Sequence, residues 1–570
     1  MQRGPVAPKD PVMKKPFFYI MQDKDIYGDR QPDGTGVQFI YQNDNRLINS
    51  AGIVGNVTDE NMLKLLRTTA GFRELVYAIG VSVTESSGQE KVRFVYQMYG
   101  KTDIYGSGTN LVADMITDGM EQMLYLDDVE WSIEDKEPGQ IRFEFEHSDV
   151  QAAASVRFYL RDGFQAPEAI VDEAIDEQSY EYEAMIQRSL LQLGNTARLQ
   201  RVIQKAKAGE DVTIAFIGGS ITQGAGAIPI HTKCYAHQTY LEFAKCFGNG
   251  ENVHFIKAGV GGTPSQLGII RFERDILRDG LAEPDLVVVE FAVNDEGDET
   301  KGVCYESLVR KILSLPNQPA VVLLFAVFAY DWNLQDRLEP IGKHYELPMV
   351  SIKDAVSPQF CLKKGEGRVL TKNQFFYDIY HPSNVGHKIM MESLMNLFHK
   401  VAAHETMEDK TELLLQQTPV YGKVYEKIKL LDRRNAQSAV KIEEGSFCET
   451  DSQLQGVEMD VSPEQIPQFP YNWMRAEPKA GVNDCFEMEL SCKALMLVYK
   501  DSGAVDVGKA DVFVDEEKVL TADPHVNGWV HCNPVIILQE ETSKVHKIRI
   551  QMALGDADKK FTILGFGYVE

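Results

Sequence analysis

The stretch Thr213-Ile-Ala-Phe-Ile-Gly-Gly-Ser-Ile-Thr-Gln-Gly224 is an apolar, β-branched run that stops at two glycines and a serine. The run Thr213–Ile217 predicts a strand that is buried on both faces, and the glycines permit a tight turn at its end. Ser220 therefore follows the carboxyl end of this strand. Ligands bind at that edge of open α/β sheets, so a hydroxyl group there is a candidate nucleophile.

The segment from about residue 211 to 405 alternates short apolar runs with helical patterns. This alternation predicts a parallel β-sheet covered on both faces by helices. The first helix is predicted to begin near His237, because Tyr240, Phe243 and Phe247 recur on one of its faces. The predicted strands are Thr213–Ile217, Val253–Lys257, Leu286–Phe291, Ala320–Phe328 and Pro348–Val350.

Both flanking regions have the alternation of apolar and polar residues that is typical of antiparallel strands. Residues 1–165 predict a β-rich N-terminal domain, and residues 406–570 predict a C-terminal β-sandwich or jelly roll. Residues 166–210 have helical spacing and are predicted to connect the N-terminal domain to the α/β domain in residues 211–405.

The composition restricts the classes of partner. The 570 residues include 58 basic and 84 acidic residues, which gives a formal net charge of −26. This charge repels nucleic acid and anionic membranes and favours a neutral or cationic substrate, although simple solubility explains it equally well. The sequence shows no secretory signal, no apolar stretch that could cross a bilayer, and no pairing or metal-ligand spacing of its eight cysteines. We therefore expect a cytoplasmic protein that binds neither nucleic acid nor membrane; its oligomeric state stays open.

Three polar blocks downstream carry further candidate residues. In Ala258-Gly-Val-Gly-Gly-Thr-Pro-Ser265 the glycines allow backbone N–H groups to face an oxyanion. Leu286-Val-Val-Val-Glu-Phe-Ala-Val-Asn-Asp295 brings Asn294 to the same sheet edge, as an oxyanion donor or a helix cap. In Asp378-Ile-Tyr-His-Pro382 the carboxylate can hold one nitrogen of His381 while the other faces a nucleophile. Each block alone has a structural explanation, but their joint order favours catalysis.

Together with Ser220, these blocks resemble the four motifs of the SGNH hydrolases, also called the GDSL esterase/lipase family, over roughly residues 211–403. The resemblance implies a three-layer parallel sheet, here flanked by two all-β domains, and it implies no metal ion or cofactor. The implied triad of nucleophile, general base and orienting carboxylate is Ser220, His381 and Asp378. The implied oxyanion hole consists of the backbone N–H groups of Ser220 and Gly262 and the side chain of Asn294.

The chain departs from the commonest family motif at one position. The usual Gly-Asp-Ser is here Gly218-Gly219-Ser220. The missing Asp is not a member of the triad. Its absence makes the chain similar to carbohydrate esterases whose first motif begins with Gly-Gly-Ser-Ile-Thr. The resemblance then implies removal of O-acetyl groups from plant-derived oligosaccharides, with acetylxylan preferred and acetylmannan or another acetylated sugar as alternatives.

Aromatic residues supply candidate sugar contacts. Tyr330 and Trp332 follow the predicted strand Ala320–Phe328 and can form a sugar platform or close the core under a loop. The N-terminal tyrosines Tyr96, Tyr99 and Tyr105 are assigned to a core in preference to sugar binding. Two other functions stay open: a non-catalytic carbohydrate-binding protein, and a short-chain lipid or thioester hydrolase or acyltransferase with the same triad.

Overall fold

The computed structural model describes residues 15–170, 172–436, 440–479 and 481–570. The chain forms two compact units. Of the described residues, the first unit contains those up to Asp176 together with Leu362–Gly386, and the second contains those of Glu177–Cys361 and His387–Glu570. Within the described ranges, no helix combines the length and the apolar character needed to cross a membrane.

The first unit is an antiparallel β-sandwich of a four-stranded and a five-stranded sheet. Apolar side chains of both sheets meet in one core. Tyr96 and Tyr99 are buried, whereas Tyr105 is exposed. The strands are Phe17–Tyr27, Asp29–Arg30, Gly36–Tyr41, Val76–Thr84, Lys91–Gly100, Asn110–Ile116, Gln122–Tyr125, Asp135–Phe145 and Gln151–Leu160. The α-helices are Arg46–Ile53, Glu60–Leu65, Thr69–Leu75 and Lys372–Phe375.

The segment Leu362–Gly386 belongs to the first unit, whereas the sequence assigns it to the catalytic domain. Buried hydrogen bonds hold it there. The ammonium group of Lys24 donates to the carbonyl oxygens of Asn373, at 2.5 Å, and Phe376, at 2.6 Å. Burial lowers the pKa of Lys24 to about 8. The loop that carries the predicted catalytic Asp and His is therefore built on the N-terminal unit.

The second unit contains a six-stranded sheet, which we call the catalytic sheet. Its strands, in spatial order, are Leu190–Gln192, Met349–Ser351, Ala320–Phe325, Leu286–Glu290, Val212–Gly218 and Val253–Gly259. All neighbouring pairs are parallel except the first pair, which is antiparallel. The five strands predicted from the sequence are all present.

Helices cover the two faces of the catalytic sheet because consecutive strand residues point in opposite directions. Ile217 shares a core with Leu267 on one face, and the ring of Phe216 contacts the ring of Tyr235 on the other. The helices are Tyr180–Arg188, Ala197–Lys207, Ser220–Gln223, Ile230–Lys233, Tyr235–Phe247, Ser265–Asp275, Val303–Leu313, Gln335–His344, Ile352–Phe360, Asn384–Ala403 and Thr411–Leu415.

Residues 166–210, which the sequence assigns to a helical connector, contribute to the catalytic sheet itself. Leu190–Gln192 lies between two helices and pairs with Met349–Ser351 at the edge of the sheet. A strand of three residues is too short to produce a periodic pattern. The sequence therefore shows only the helices around it.

The C-terminal region forms an eight-stranded sheet, apart from one separate pair of strands. Two runs of the sequence, Cys485–Leu490 and Ala494–Tyr499, form one continuous strand, Cys485–Asp501, with a register shift after Cys492. The strands are Lys429–Leu431, Lys441–Glu443, Gly456–Glu458, Gln465–Pro467, Trp473–Arg475, Cys485–Asp501, Ala510–Val514, Glu517–Ala522, His531–Met552 and Phe561–Val569.

One face of the C-terminal sheet packs on the catalytic domain. Met496 and Leu564 of this sheet share a core with Leu267 and Ile270 of the helix Ser265–Asp275. This helix also packs beneath the catalytic sheet. The C-terminal sheet is therefore fixed to the helix that follows the glycine-rich loop.

Candidate active site

Three of the four sequence blocks meet at the carboxyl edge of the catalytic sheet. The strand that precedes Ser220 lies between the strand that precedes Gly262 and the strand that precedes Asn294. Gly218 is the last residue of the middle strand of these three, and it is in register with the last residues of both neighbouring strands. Because the three strands end at the same level, their loops lie side by side.

Ser220 begins a one-turn helix, Ser220–Gln223, which we call the nucleophile helix because the sequence motif makes Ser220 the candidate nucleophile. A methyl group at Gly219 would lie 2.0 Å from Oδ1 of Asn294. The Asn294 side chain thus occupies the space that any side chain at position 219 would need. On the other side, a methyl group at Gly261 would lie 3.7 Å from Cβ of Ser220. Both predicted donor loops are therefore close to the nucleophile helix.

Gln455 fixes the peptide group that carries the N–H of Gly262. Its Nε2 donates to the carbonyl oxygen of Gly261 at 2.8 Å, and its Oε1 accepts from the N–H of Cys532 at 3.1 Å. A trans peptide group directs its C=O and N–H in opposite directions. This hydrogen bond therefore points the Gly262 N–H away from Gln455 and prevents the peptide group from rotating.

His531 and Trp529 of the C-terminal region cover Gly262. Nε2 of His531 lies 3.1 Å from the Gly262 carbonyl oxygen. Burial lowers the pKa of His531 to about 4, so the imidazole is neutral and its Nε2–H donates to this carbonyl. A methyl group at Gly262, where φ is +71°, would lie 2.9 Å from the Trp529 ring. Trp529 is 45% exposed and so presents an aromatic surface beside the predicted oxyanion donor.

The predicted Asp–His pair is formed within the first unit. Oδ2 of Asp378 lies 2.9 Å from Nδ1 of His381, and Oδ1 accepts from the backbone N–H groups of Tyr380 and His381, each at 2.8 Å. Burial acts to raise the pKa of Asp378, but the His381 side chain, the Tyr380 N–H and the charge of Arg46 hold this pKa below its ordinary value. This geometry suits a carboxylate that orients a general base. That His381 acts on Ser220 stays a prediction of the sequence motifs.

The predicted sugar platform is an aromatic cluster on the opposite side of Ser220 from Gly262. The ring of Trp332 stacks on Phe328, with centroids 5.8 Å apart and planes at 23°. Tyr330 lies 6.3 Å from Trp332 between ring centroids, and more than half of its surface is exposed. Trp529 therefore lies beside the glycine-rich loop on one side of Ser220, and the Tyr330–Trp332 loop follows the strand beyond that of Asn294 on the other side.

Comparison with known proteins identifies this region. Residues 216–389 match the GDSL-like Lipase/Acylhydrolase family. The region is an SGNH hydrolase domain. The chain is accordingly a carboxylic ester hydrolase, as the four motifs predict. A search of curated protein sequences finds no match.

Two similar solved structures are of a two-domain esterase (CEX) active on acetylated mannans, one of them co-crystallized with mannopentaose. Both are 26% identical to this chain and cover 68% of it, with TM-scores of 0.55 and 0.54 and coverage of 98% and 99% of the esterase chain. A catalytic mutant of the acetylxylan esterase Axe2 from Geobacillus stearothermophilus is 17% identical, with a TM-score of 0.26 over 35% of this chain and 99% of its own. This similarity is too weak to assign a substrate to the present hydrolase.

The hydrolase has a buried carboxyl group beside the nucleophile helix that sequence reasoning missed. Oε2 of Glu290 accepts a hydrogen bond from Oγ1 of Thr222 at 3.1 Å. The same Oγ1 of Thr222 lies 2.9 Å from the Tyr235 hydroxyl. Oε1 of Glu290 has no hydrogen-bond partner in the described part of the chain. Burial raises the pKa of Glu290 to about 7, against the opposing effects of Thr222 and the Gly219 amide. Glu290 lies in an otherwise apolar strand, which is the signal that could have revealed it.

We expect the substitution Gly219→Ala to displace the Asn294 side chain. The kcat for p-nitrophenyl acetate should fall by about 10²–10³-fold, because removal of one oxyanion donor has that effect. Steady-state kinetics measure the change. The control is Gly365→Ala, whose added methyl group meets no described atom within 4 Å and should leave kcat unaltered. Full turnover by folded Gly219→Ala would show that Asn294 is not a donor.

Glu290 should make stability depend on pH. Its folded-state pKa of about 7 exceeds the ordinary 4.5. Its protonated form therefore stabilises the fold fully below pH 4.5, and this contribution is lost as the pH rises through 7. Relative to wild type, the unfolding free energy of Glu290→Gln should rise by on the order of 2 kcal/mol from pH 5 to pH 8 in urea titrations. The exposed control Glu181→Gln should show no such rise. An identical difference at both pH values would contradict a buried, titrating Glu290.

Proposed function

We propose that this chain is a serine esterase that removes O-acetyl groups from oligosaccharides through an acyl-enzyme. The observation that carries the proposal is the pair of exposed aromatic surfaces on either side of Ser220, Trp529 on one side and the Tyr330–Trp332 loop on the other. Aromatic rings pack against the C–H faces of sugar rings by burial of apolar surface. A sugar chain along the sheet edge would contact both surfaces with its ester near the nucleophile.

In the proposed mechanism, Nε2 of His381 takes the proton of Ser220 as the serine oxygen attacks the acetyl carbonyl. Asp378 stabilises the imidazolium that forms. The oxyanion accepts hydrogen bonds from the N–H groups of Ser220 and Gly262 and from the Asn294 side chain. The sugar hydroxyl leaves with a proton from His381, and water then releases acetate by the same route.

The surroundings of Gly262 support a small acyl group. Trp529 and His531 fill the space beside it, and an extended fatty-acyl chain would need that space. The net charge of −26 supports a neutral substrate over an anionic one. For the backbone, the sequence resemblance favours acetylxylan, and the esterase active on acetylated mannans, 26% identical to this chain, supports acetylmannan. These two backbones are the substrates to compare.

Acetate release tests the proposal directly. Wild-type protein should release acetate from acetylated xylo- or manno-oligosaccharides and should prefer p-nitrophenyl acetate to longer acyl esters. The substitution Ser220→Ala should lower kcat by more than about 10⁴-fold because it removes the nucleophile. The exposed Ser543 offers a matched control, Ser543→Ala, which should keep wild-type rates. A preference for long acyl chains, or no acetate from any sugar, would contradict the proposal.

Trp529 tests the sugar assignment separately from the chemistry. The substitution Trp529→Ala should raise KM for the acetylated oligosaccharide by about tenfold, because the contact between the indole ring and a sugar ring is lost. The change in KM for p-nitrophenyl acetate should be much smaller, because that ester has no sugar ring. Tyr471→Ala, which truncates a similarly exposed ring of the same region, is the control. Equal effects of Trp529→Ala on both substrates would remove the support for a sugar contact.

A further inference from the structure

The first unit contains a cavity beside the Asp–His pair, which we call the Tyr41 pocket. Its volume is about 60 Å³, and its lining includes Phe39, Tyr41, Gln42, Arg46, Tyr377 and Asp378. Asp378 is the residue whose Oδ2 holds His381. A ligand in this pocket therefore lies next to the predicted general base.

Aromatic and guanidinium groups form the outer wall of the Tyr41 pocket. Phe39 and Tyr41 alternate on the strand Gly36–Tyr41, so they point to the same side of the sheet, and they are 40% and 50% exposed. The guanidinium of Arg46 lies 5.8 Å from the ring centroids of both Tyr41 and Tyr380. Flat rings next to a multiple hydrogen-bond donor can hold the C–H face and the hydroxyl groups of one sugar unit.

Two polar side chains in the wall have unused hydrogen-bonding capacity. Gln42 is only 4% exposed, and its Nε2 donates to the Tyr41 carbonyl oxygen. Its Oε1 and the hydroxyl of Tyr377 have no partner among the described residues. Buried polar atoms are normally paired. Both side chains line the pocket, and a rotation that brings either atom to its surface lets Gln42 accept from, and Tyr377 donate to, a ligand hydroxyl group.

The charges around the Tyr41 pocket favour a neutral ligand. Lys24 and Arg46 provide two cations, and Asp378 and Asp44 provide two carboxylates. The Asp44 carboxylate lies 3.4 Å from the guanidinium of Arg46. A phosphate or carboxylate ligand would face Asp378, which is held ionised below its ordinary pKa. A neutral polyhydroxyl ligand meets no such repulsion.

We propose that the Tyr41 pocket binds one pyranose unit of the acetylated oligosaccharide. The inference rests on the proposed function, because that function supplies the sugar. The N-terminal unit then has two roles: it positions the loop of the general base, and it adds a sugar subsite that the SGNH domain does not contain.

Kinetics with the full chain test the subsite. The substrates are acetylated oligosaccharides of increasing length and p-nitrophenyl acetate. Tyr41→Ala should lower kcat/KM for the longer oligosaccharides about tenfold more than for p-nitrophenyl acetate, mainly through KM. Phe39→Ala provides a second truncation of an exposed ring. Tyr180→Ala, in the second unit, removes another exposed tyrosine and should keep the wild-type dependence on chain length.

Direct binding separates this inference from the proposed function. Titration calorimetry with a non-acetylated oligosaccharide needs no esterase activity, and Tyr41→Ala should raise its Kd about tenfold. Wild-type chain-length dependence and wild-type Kd in both folded variants would overturn the subsite, even while acetate is released. A wild-type protein that binds the oligosaccharide through Tyr41 but releases no acetate would overturn the esterase and keep the subsite.

Discussion

The buried guanidinium of Arg271 holds together the ends of two of the three strands that lead into the candidate active site. It donates to the carbonyl oxygens of Gly218, at 3.0 Å, and Ala258, at 2.8 Å, and Asp275 compensates its charge at 3.1 Å. Arg271 is fully buried, so these charge-assisted hydrogen bonds are not weakened by water. The loops of the nucleophile and of the glycine-rich block leave directly after these carbonyls. Together with the pairing of the two strands, this side chain fixes the relative position of the two loops.

The flanking β-regions do more than extend the chain. Gln455 and His531 of the C-terminal region bond to the two consecutive carbonyl groups of Gly261 and Gly262. The N-terminal unit in turn holds the Asp–His loop through Lys24. The SGNH domain supplies the four motifs, but side chains outside it hold two of them in place. Gln455 and His531 hold the glycine-rich loop, and Lys24 holds the loop of the Asp–His pair.

The sequence predicted the parallel strands and the sheet edge of the site because both produce local patterns. Apolar runs that stop at glycine or a polar residue indicate the ends of buried strands, and those ends carry Ser220 and Asn294. The placement of Leu362–Gly386 could not be predicted, because it depends on a lysine whose partners lie about 350 residues away. Gln455 and His531 were missed for the same reason: each contacts a backbone carbonyl far away in sequence, and such contacts leave no motif.

Covalent labelling tests the central claim most directly, namely that Ser220 is a nucleophile activated by His381. The full chain is treated with a fluorophosphonate, and its peptides are examined by mass spectrometry over time. The account predicts a single adduct on Ser220, formed more than about 10³-fold more slowly in His381→Ala. An adduct on another residue, or equal labelling rates in the two proteins, would contradict it.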